Sequence, residues 1–166
     1  MKRLMISIAI CCMAAVGTQA QQAFKEIYEL SNKTLMDSKE DKEVRKVALF
    51  KVDALTYLNT KLLEVLLDST HQHGYNVMAR RDSMAYFMYD YVNLFTREYS
   101  RANKKGEKER ILKTFREASI NNPLFNDPDR EYVLTYYNRE DFLTQFSLDT
   151  DWVKANAYVR RKLGEK

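Results

Sequence analysis

The strongest pattern in the chain lies between residues 41 and 68. Val44, Val47, Ala48, Leu55, Leu58, Leu62, Val65 and Leu66 recur at steps of three and four, while Lys, Arg, Asp and Glu occupy the other side. Side chains three and four apart share one face of an α-helix, so this spacing predicts one long amphipathic helix. No Gly or Pro interrupts it, and Ser69-Thr70 with Gly74 beyond supplies the expected stop. Ahead of it, Phe24, Ile27, Tyr28, Leu35 and Met36 form a looser stripe that predicts a helix over 24–36, ending near Asp37-Ser38.

Further along, Asp82 or Ser83 offers an N-cap for a third helix reaching Ala102, with Met84, Phe87, Met88, Tyr91, Leu94, Phe95 and Tyr99 turned inward. This helix is aromatic on more than one face. After a break over Asn103 to Gly106, the spacing of Ile111, Leu112, Phe115 and Ala118 predicts a fourth helix from Glu107 to Ile120, closed by Asn121-Asn122-Pro123. Asp127-Pro128 marks the start of a short fifth helix through Val133, Leu134 and Tyr137, because Pro suits the first helical position and Asp accepts an orphan backbone N–H. A last helix is expected from Asp149, which would cap it, with Leu148 packing on Val153 as a hydrophobic staple and Trp152, Val153, Tyr158 and Val159 facing the core. Before it, Leu143, Phe146 and Leu148 alternate as in an extended strap pinned across a bundle. The expected fold class is all-α, a single domain of five or six helices.

The first twenty residues read differently. Lys2 and Arg3 precede an apolar run from Leu4 to Val16, and Thr18-Gln19-Ala20 ends it on small residues, the arrangement of a secretory signal peptide cleaved after Ala20. A spanning helix needs about 20 apolar residues, more than this run has, so no transmembrane span is expected in the mature chain. A lipoprotein signal would want a small residue before its acylated cysteine, and Ile10 precedes Cys11. The expected division is residues 1–20 as leader and 21–166 as helical domain, exported to the periplasm or to the cell surface and beyond.

Removing the leader changes the chemistry on offer. From Gln21 onward the chain carries 25 basic and 23 acidic side chains, and both cysteines are gone. A nearly neutral exported protein is a poor partner for nucleic acid, whose binding runs on phosphate neutralisation. Without thiols there is no disulfide, Cys nucleophile, thiolate zinc site, iron–sulfur cluster or attached haem. The glycines at 17, 74, 106 and 164 are too far apart to write a phosphate-cradling loop. No cofactor is expected.

The remaining candidates for chemistry are few. Asp68, His71 and His73 have metal-ligand residue types and include both histidines of the chain, which suits zinc or copper if a further ligand closes the site; a solvated helix end explains them better, and no metal is expected. Two histidines and no G-x-S-x-G elbow leave little for a serine triad. Glycoside hydrolysis can run on two carboxylates, and Glu98, Glu117, Asp127, Asp129, Glu131, Glu140, Asp141, Asp149 and Asp151 are available, though no spacing marks a pair. Asn126, Asp127, Asp129 and Glu131 fail as a calcium loop, since Tyr132 holds the turn position and Asn138 the twelfth.

Charge and aromatic residues give the binding candidates. Residues 101–116 carry seven basic and two acidic side chains, whereas 117–151 carry eight acidic and two basic ones. Arg101, Lys104, Lys105 and Lys108 thus form a basic edge suited to an acidic envelope component or an anionic surface. Tyr86 and Tyr89, with other tyrosines of the third helix, could line a groove for a peptide or sugar.

Three stretches, Arg45-Lys-Val-Ala-Leu-Phe-Lys-Val-Asp-Ala-Leu55, Ala118-Ser-Ile-Asn-Asn-Pro-Leu-Phe-Asn-Asp127 and Thr144-Gln-Phe-Ser-Leu-Asp-Thr-Asp-Trp-Val-Lys154, resemble an uncharacterised family of exported all-helical proteins from Gram-negative gut bacteria. The resemblance implies export and a helical fold and brings no catalytic residues. The expected function is an exported, non-catalytic binding or structural module of the cell envelope, its partner an envelope or secreted protein or a glycan. The alternative is a carboxylate-dependent glycan hydrolase.

Overall fold

The computed structural model of the chain describes residues 22–68, 74–119, 122, 124–125 and 127–164. Among these residues there are six helices and no sheet: α1 (Ala23–Met36), α2 (Lys42–Asp68), α3 (Gly74–Arg101), α4 (Lys105–Ala118), α5 (Arg130–Val133) and α6 (Trp152–Leu163). They form one compact all-α domain, as the periodicity predicts. Residues 1–20, the expected leader, and the histidines of the candidate metal cluster, His71 and His73, lie outside the described residues, as does the Asp68 side chain.

α1 and α2 make an antiparallel hairpin. Its turn is held by Asp37 Oδ1, which accepts Lys39 N at 2.9 Å, and by Asp41 Oδ1, which accepts Glu43 N at 2.8 Å. Arg45 Nε then donates to Leu35 O at 3.0 Å, tying the start of α2 to the last turn of α1. α3 packs against α1, α2, α4 and α6, which explains why it is apolar around much of its girth: Met84, Ala85, Met88, Tyr91, Val92, Leu94 and Phe95 are all buried. α2 likewise buries more than the single stripe, adding Phe50, Ala54 and Tyr57 to Leu55, Leu58 and Leu62.

The centre of the core is aromatic. Phe146 stands edge-on to Phe50, Tyr91 and Phe95 at 5.7, 5.3 and 5.0 Å between ring centroids, and Trp152 meets Phe50 and Tyr91 at 6.1 and 5.6 Å. Such edge-to-face pairs add to the gain from burying large rings. The Tyr91 hydroxyl donates to Phe115 O, so the one polar atom of that buried ring is satisfied. Phe146 comes from the expected strap between α5 and α6, which enters the core through Phe146 and Leu148 and is held at its edge by Leu148 N donating to Val133 O at 3.2 Å.

Beneath the strap lies a buried polar cluster. Ser119 and Thr150 hydroxyls are 2.6 Å apart, Ser147 N donates to Ser119 Oγ at 2.7 Å, and Ser147 Oγ donates to Asp149 Oδ1 at 2.5 Å. Arg130 Nη1 donates to Asp149 Oδ2 at 2.6 Å. Buried polar groups are tolerable when paired in this way, and the pairing fixes the end of α4, the strap and the entry to α6 in one register.

Several boundaries differ from the sequence expectation. α3 starts at Gly74, eight residues before Asp82, which is buried within the helix beside Arg81. Gly74 opens a helix where it was expected to terminate one. α4 starts at Lys105, with Gly106 in its first turn. Asp129 and not Asp127 caps α5, accepting Tyr132 N at 2.9 Å, while Asp127 Oδ1 accepts Asp129 N one step earlier; Leu134 and Tyr137 fall after the helix. Asp151 and not Asp149 caps α6, accepting Lys154 N, because Asp149 is already committed to Arg130 and Ser147. With the cap shifted by two, Val153 is 39% exposed, so it neither faces the core nor staples Leu148. Gly164 ends α6 in the left-handed region, φ 75°, where an L side chain would be strained.

Candidate functional site

A groove about 440 Å³ in volume lies between α1, α2 and α3. Leu30, Ser31 and Thr34 of α1 form one wall, Val47, Ala48 and Lys51 of α2 the floor with Val44 at its rim, and Tyr89, Asn93 and Thr96 of α3 the other wall, with Leu143 of the strap among the lining residues. The volume falls within the roughly 300–1,000 Å³ of small-molecule sites. Two large apolar residues of the rim stay in water: Leu30 is 50% and Val44 44% exposed.

Lys51 is the unusual member. Its Nζ donates to Asn93 Oδ1 at 2.7 Å and lies 4.6 Å from the centre of the Tyr89 ring. Burial strips water from the ammonium and pushes its pKa down to about 8. Glu43, the acid on the groove wall, is engaged with Lys46 at 3.1 Å. The hydroxyls of the groove are not equivalent either. Thr34 and Thr96 donate to the carbonyls four residues earlier, Leu30 O at 3.1 Å and Val92 O at 2.8 Å. Ser31 Oγ, on a residue 3% exposed, has no hydrogen-bond partner.

Of the sequence candidates, Tyr89 lines this groove and Tyr86 does not; Tyr86 is 56% exposed and packs edge-on against Phe87 at 5.6 Å. The basic edge is on the surface at the far end of α3. Arg101 Nη1 is 3.4 Å from Glu98, Lys105 Nζ is 3.8 Å from Glu109, and Lys108 Nζ lies over the Tyr99 ring at 5.1 Å. Lys104 holds the N-cap position of α4, its carbonyl accepting Glu107 N and Lys108 N. Lys105, Lys108 and Tyr99 come together around a shallow recess, so part of the edge is a shared surface.

Most of the candidate acidic residues are individually engaged. Asp127 Oδ2 accepts from Lys61 Nζ at 3.0 Å and from Tyr57 at 3.1 Å. Burial pulls the Asp127 carboxyl up, but hydrogen bonds from Asp129 N, Lys61 and Tyr57 outweigh it and hold the pKa below the usual carboxylate range. Burial, with Asp127 beside it, pushes the Tyr57 hydroxyl far up. Asp141 pairs with Arg139 at 2.8 Å, Glu117 with Lys113 at 3.9 Å, and Asp151 with Lys154 at 3.1 Å. Among the described residues no group of three metal-ligating side chains converges, and no helix is long and apolar enough to cross a membrane.

No family model, no curated protein and no solved structure matches the chain. The site must therefore be read from its own geometry. Lys51 is the functional candidate that pattern reading passed over, and a signal for it was present: it sits seven residues after Val44, four after Val47 and four before Leu55, on the apolar stripe itself. A lysine on the buried face of an otherwise apolar helix stripe either snorkels to water or is held by something specific.

Proposed function

We propose that this protein is an exported, non-catalytic binding module of the cell envelope, which takes a small ligand in the groove between α1, α2 and α3. The observation that carries the reading is the combination of an apolar, open groove with a desolvated ammonium on its floor. Binding sites are mostly apolar concavities with a few placed polar groups, and this one has that composition. The basic opening, short apolar run and small-residue end of residues 1–20 support export. A two-carboxylate hydrolase needs one acid kept protonated near its working pH; Asp127 is driven the other way, and Asp82, the acid that burial pushes up, lies beside Arg81.

The test is native mass spectrometry of the protein recovered from fractionated source cells. The expected result is a chain beginning near Gln21 in the envelope or external fraction, carrying a non-covalent small molecule that Val44→Trp, which fills the groove from its exposed rim, no longer retains. Recovery from the cytosol with residues 1–20 attached, or a ligand retained equally by Val44→Trp, would overturn it.

A further inference from the structure

We propose that the groove binds a free alkyl carboxylate, with the carboxylate against Lys51 Nζ and the chain along Leu30, Val44 and Val47. The proposal rests on the groove being the binding site and names the chemistry that fits it.

Charge complementarity comes first. A buried ammonium without a counter-charge is costly, and proteins normally pair it. Lys51 has an amide oxygen and an aromatic face as partners, and among the described residues no carboxylate pairs with it. A ligand carboxylate supplies the missing charge and makes a charge-assisted hydrogen bond in a partly dry setting, where such bonds are strongest. Burial is what lowers the pKa of the amine, and a carboxylate placed beside it would raise it again.

Ser31, whose Oγ is buried and unpartnered, belongs to the residues that line the groove.

The rest of the wall sets the ligand class. One cation on the floor suits a monoanion, and Glu43 on the wall disfavours a ligand carrying several negative charges. The exposed faces of Leu30 and Val44 call for an apolar body, so acetate has the right head without the contact area.

Calorimetric titration of the purified protein with sodium decanoate tests this, with acetate and decyltrimethylammonium as the other arms. Decanoate is expected to bind with one site, acetate and the cationic detergent not. Lys51→Met, checked for folding by circular dichroism, should weaken decanoate by about ten- to a hundredfold, and decanoate should protect Lys51 from acetic anhydride in a mass-spectrometric footprint. Unchanged decanoate affinity in folded Lys51→Met, equal binding of the cationic detergent, or no protection of Lys51 would overturn the proposal. So would a dimer split by Val44→Trp with no decanoate bound, which would give the groove to a second copy. If decanoate fails while a native ligand is still lost on Val44→Trp, the carboxylate alone falls and the groove reading stands; if neither binds, both fall.

Discussion

The ring of Phe146 stands nearly perpendicular to that of Phe95, 5.0 Å between centroids and 83° between planes. One residue belongs to an irregular strap and the other to the C-terminal part of α3, yet both are fully buried, so a segment without helix or strand supplies the centre of the core. Phe146→Ala should cost about 3–5 kcal/mol, through lost transfer energy and the cavity left among Phe50, Tyr91 and Phe95. In urea melts the midpoint should fall accordingly; Phe146→Leu should cost less than half as much.

Lys51 makes the opposite prediction. Its amine titrates near 8 in the folded chain and near 10.4 when unfolded. Between these values the unfolded chain binds more protons, so stability rises with pH there and the cost is fullest below pH 8. Such a shift corresponds to about 3 kcal/mol at most, against which the contacts with Asn93 and Tyr89 are lost on replacement. Lys51→Met should therefore be more stable than the parent by about 1–2 kcal/mol at pH 7. The advantage should shrink as pH rises from 8 toward 10.5, as thermal melts across that range would register.

Asp90 ties α3 to α6. Its Oδ2 accepts from Arg160 Nη2 at 2.6 Å and from Asn156 Nδ2 at 2.7 Å. Burial pulls its pKa up, but these bonds from Arg160 and Asn156 outweigh it and leave the carboxyl below its ordinary value. The contribution is thus complete above the unfolded pKa near 3.9 and disappears as pH falls through the lower folded value. Asp90→Asn should destabilise by about 1 kcal/mol at pH 7, after allowance for solvent screening, and by less at pH 3.

Asp149 and Asp151 stand two residues apart and do different work. Asp149→Ala leaves the Ser147 hydroxyl and the Arg130 guanidinium without their acceptor beneath the strap, and should cost about 2–4 kcal/mol. Asp151→Ala removes the α6 cap and an exposed ion pair with Lys154, for about 1 kcal/mol. Equal losses in denaturant titrations would mean that the cap had been misassigned.

How much of this was legible along the chain follows from what local pattern can carry. α2 runs over Lys42–Asp68, almost the predicted 41–68, because an uninterrupted stripe with breakers beyond it leaves few alternatives. The strap was also visible, in the alternation of Leu143, Phe146 and Leu148. The start of α3 was not: Asp82 has the residue type of an N-cap, but a helix with neighbours on several sides can bury an acid beside Arg81, and only tertiary contact says so. The same holds for α6, where Asp149 was drawn away from the cap by Arg130, nineteen residues earlier. In the groove, Tyr89 was singled out from composition, whereas Lys51 was hidden by being counted among the charges flanking the stripe. Its position on the stripe mattered more than its residue type.

Placing Phe146 and Trp152 so late in the chain has a consequence for assembly. Without residues 144–164 the preceding helices should enclose a hollow that they cannot fill, because Phe146 and Trp152 occupy its centre. A truncation before Thr144 should show this as helical far-ultraviolet dichroism with little near-ultraviolet signal.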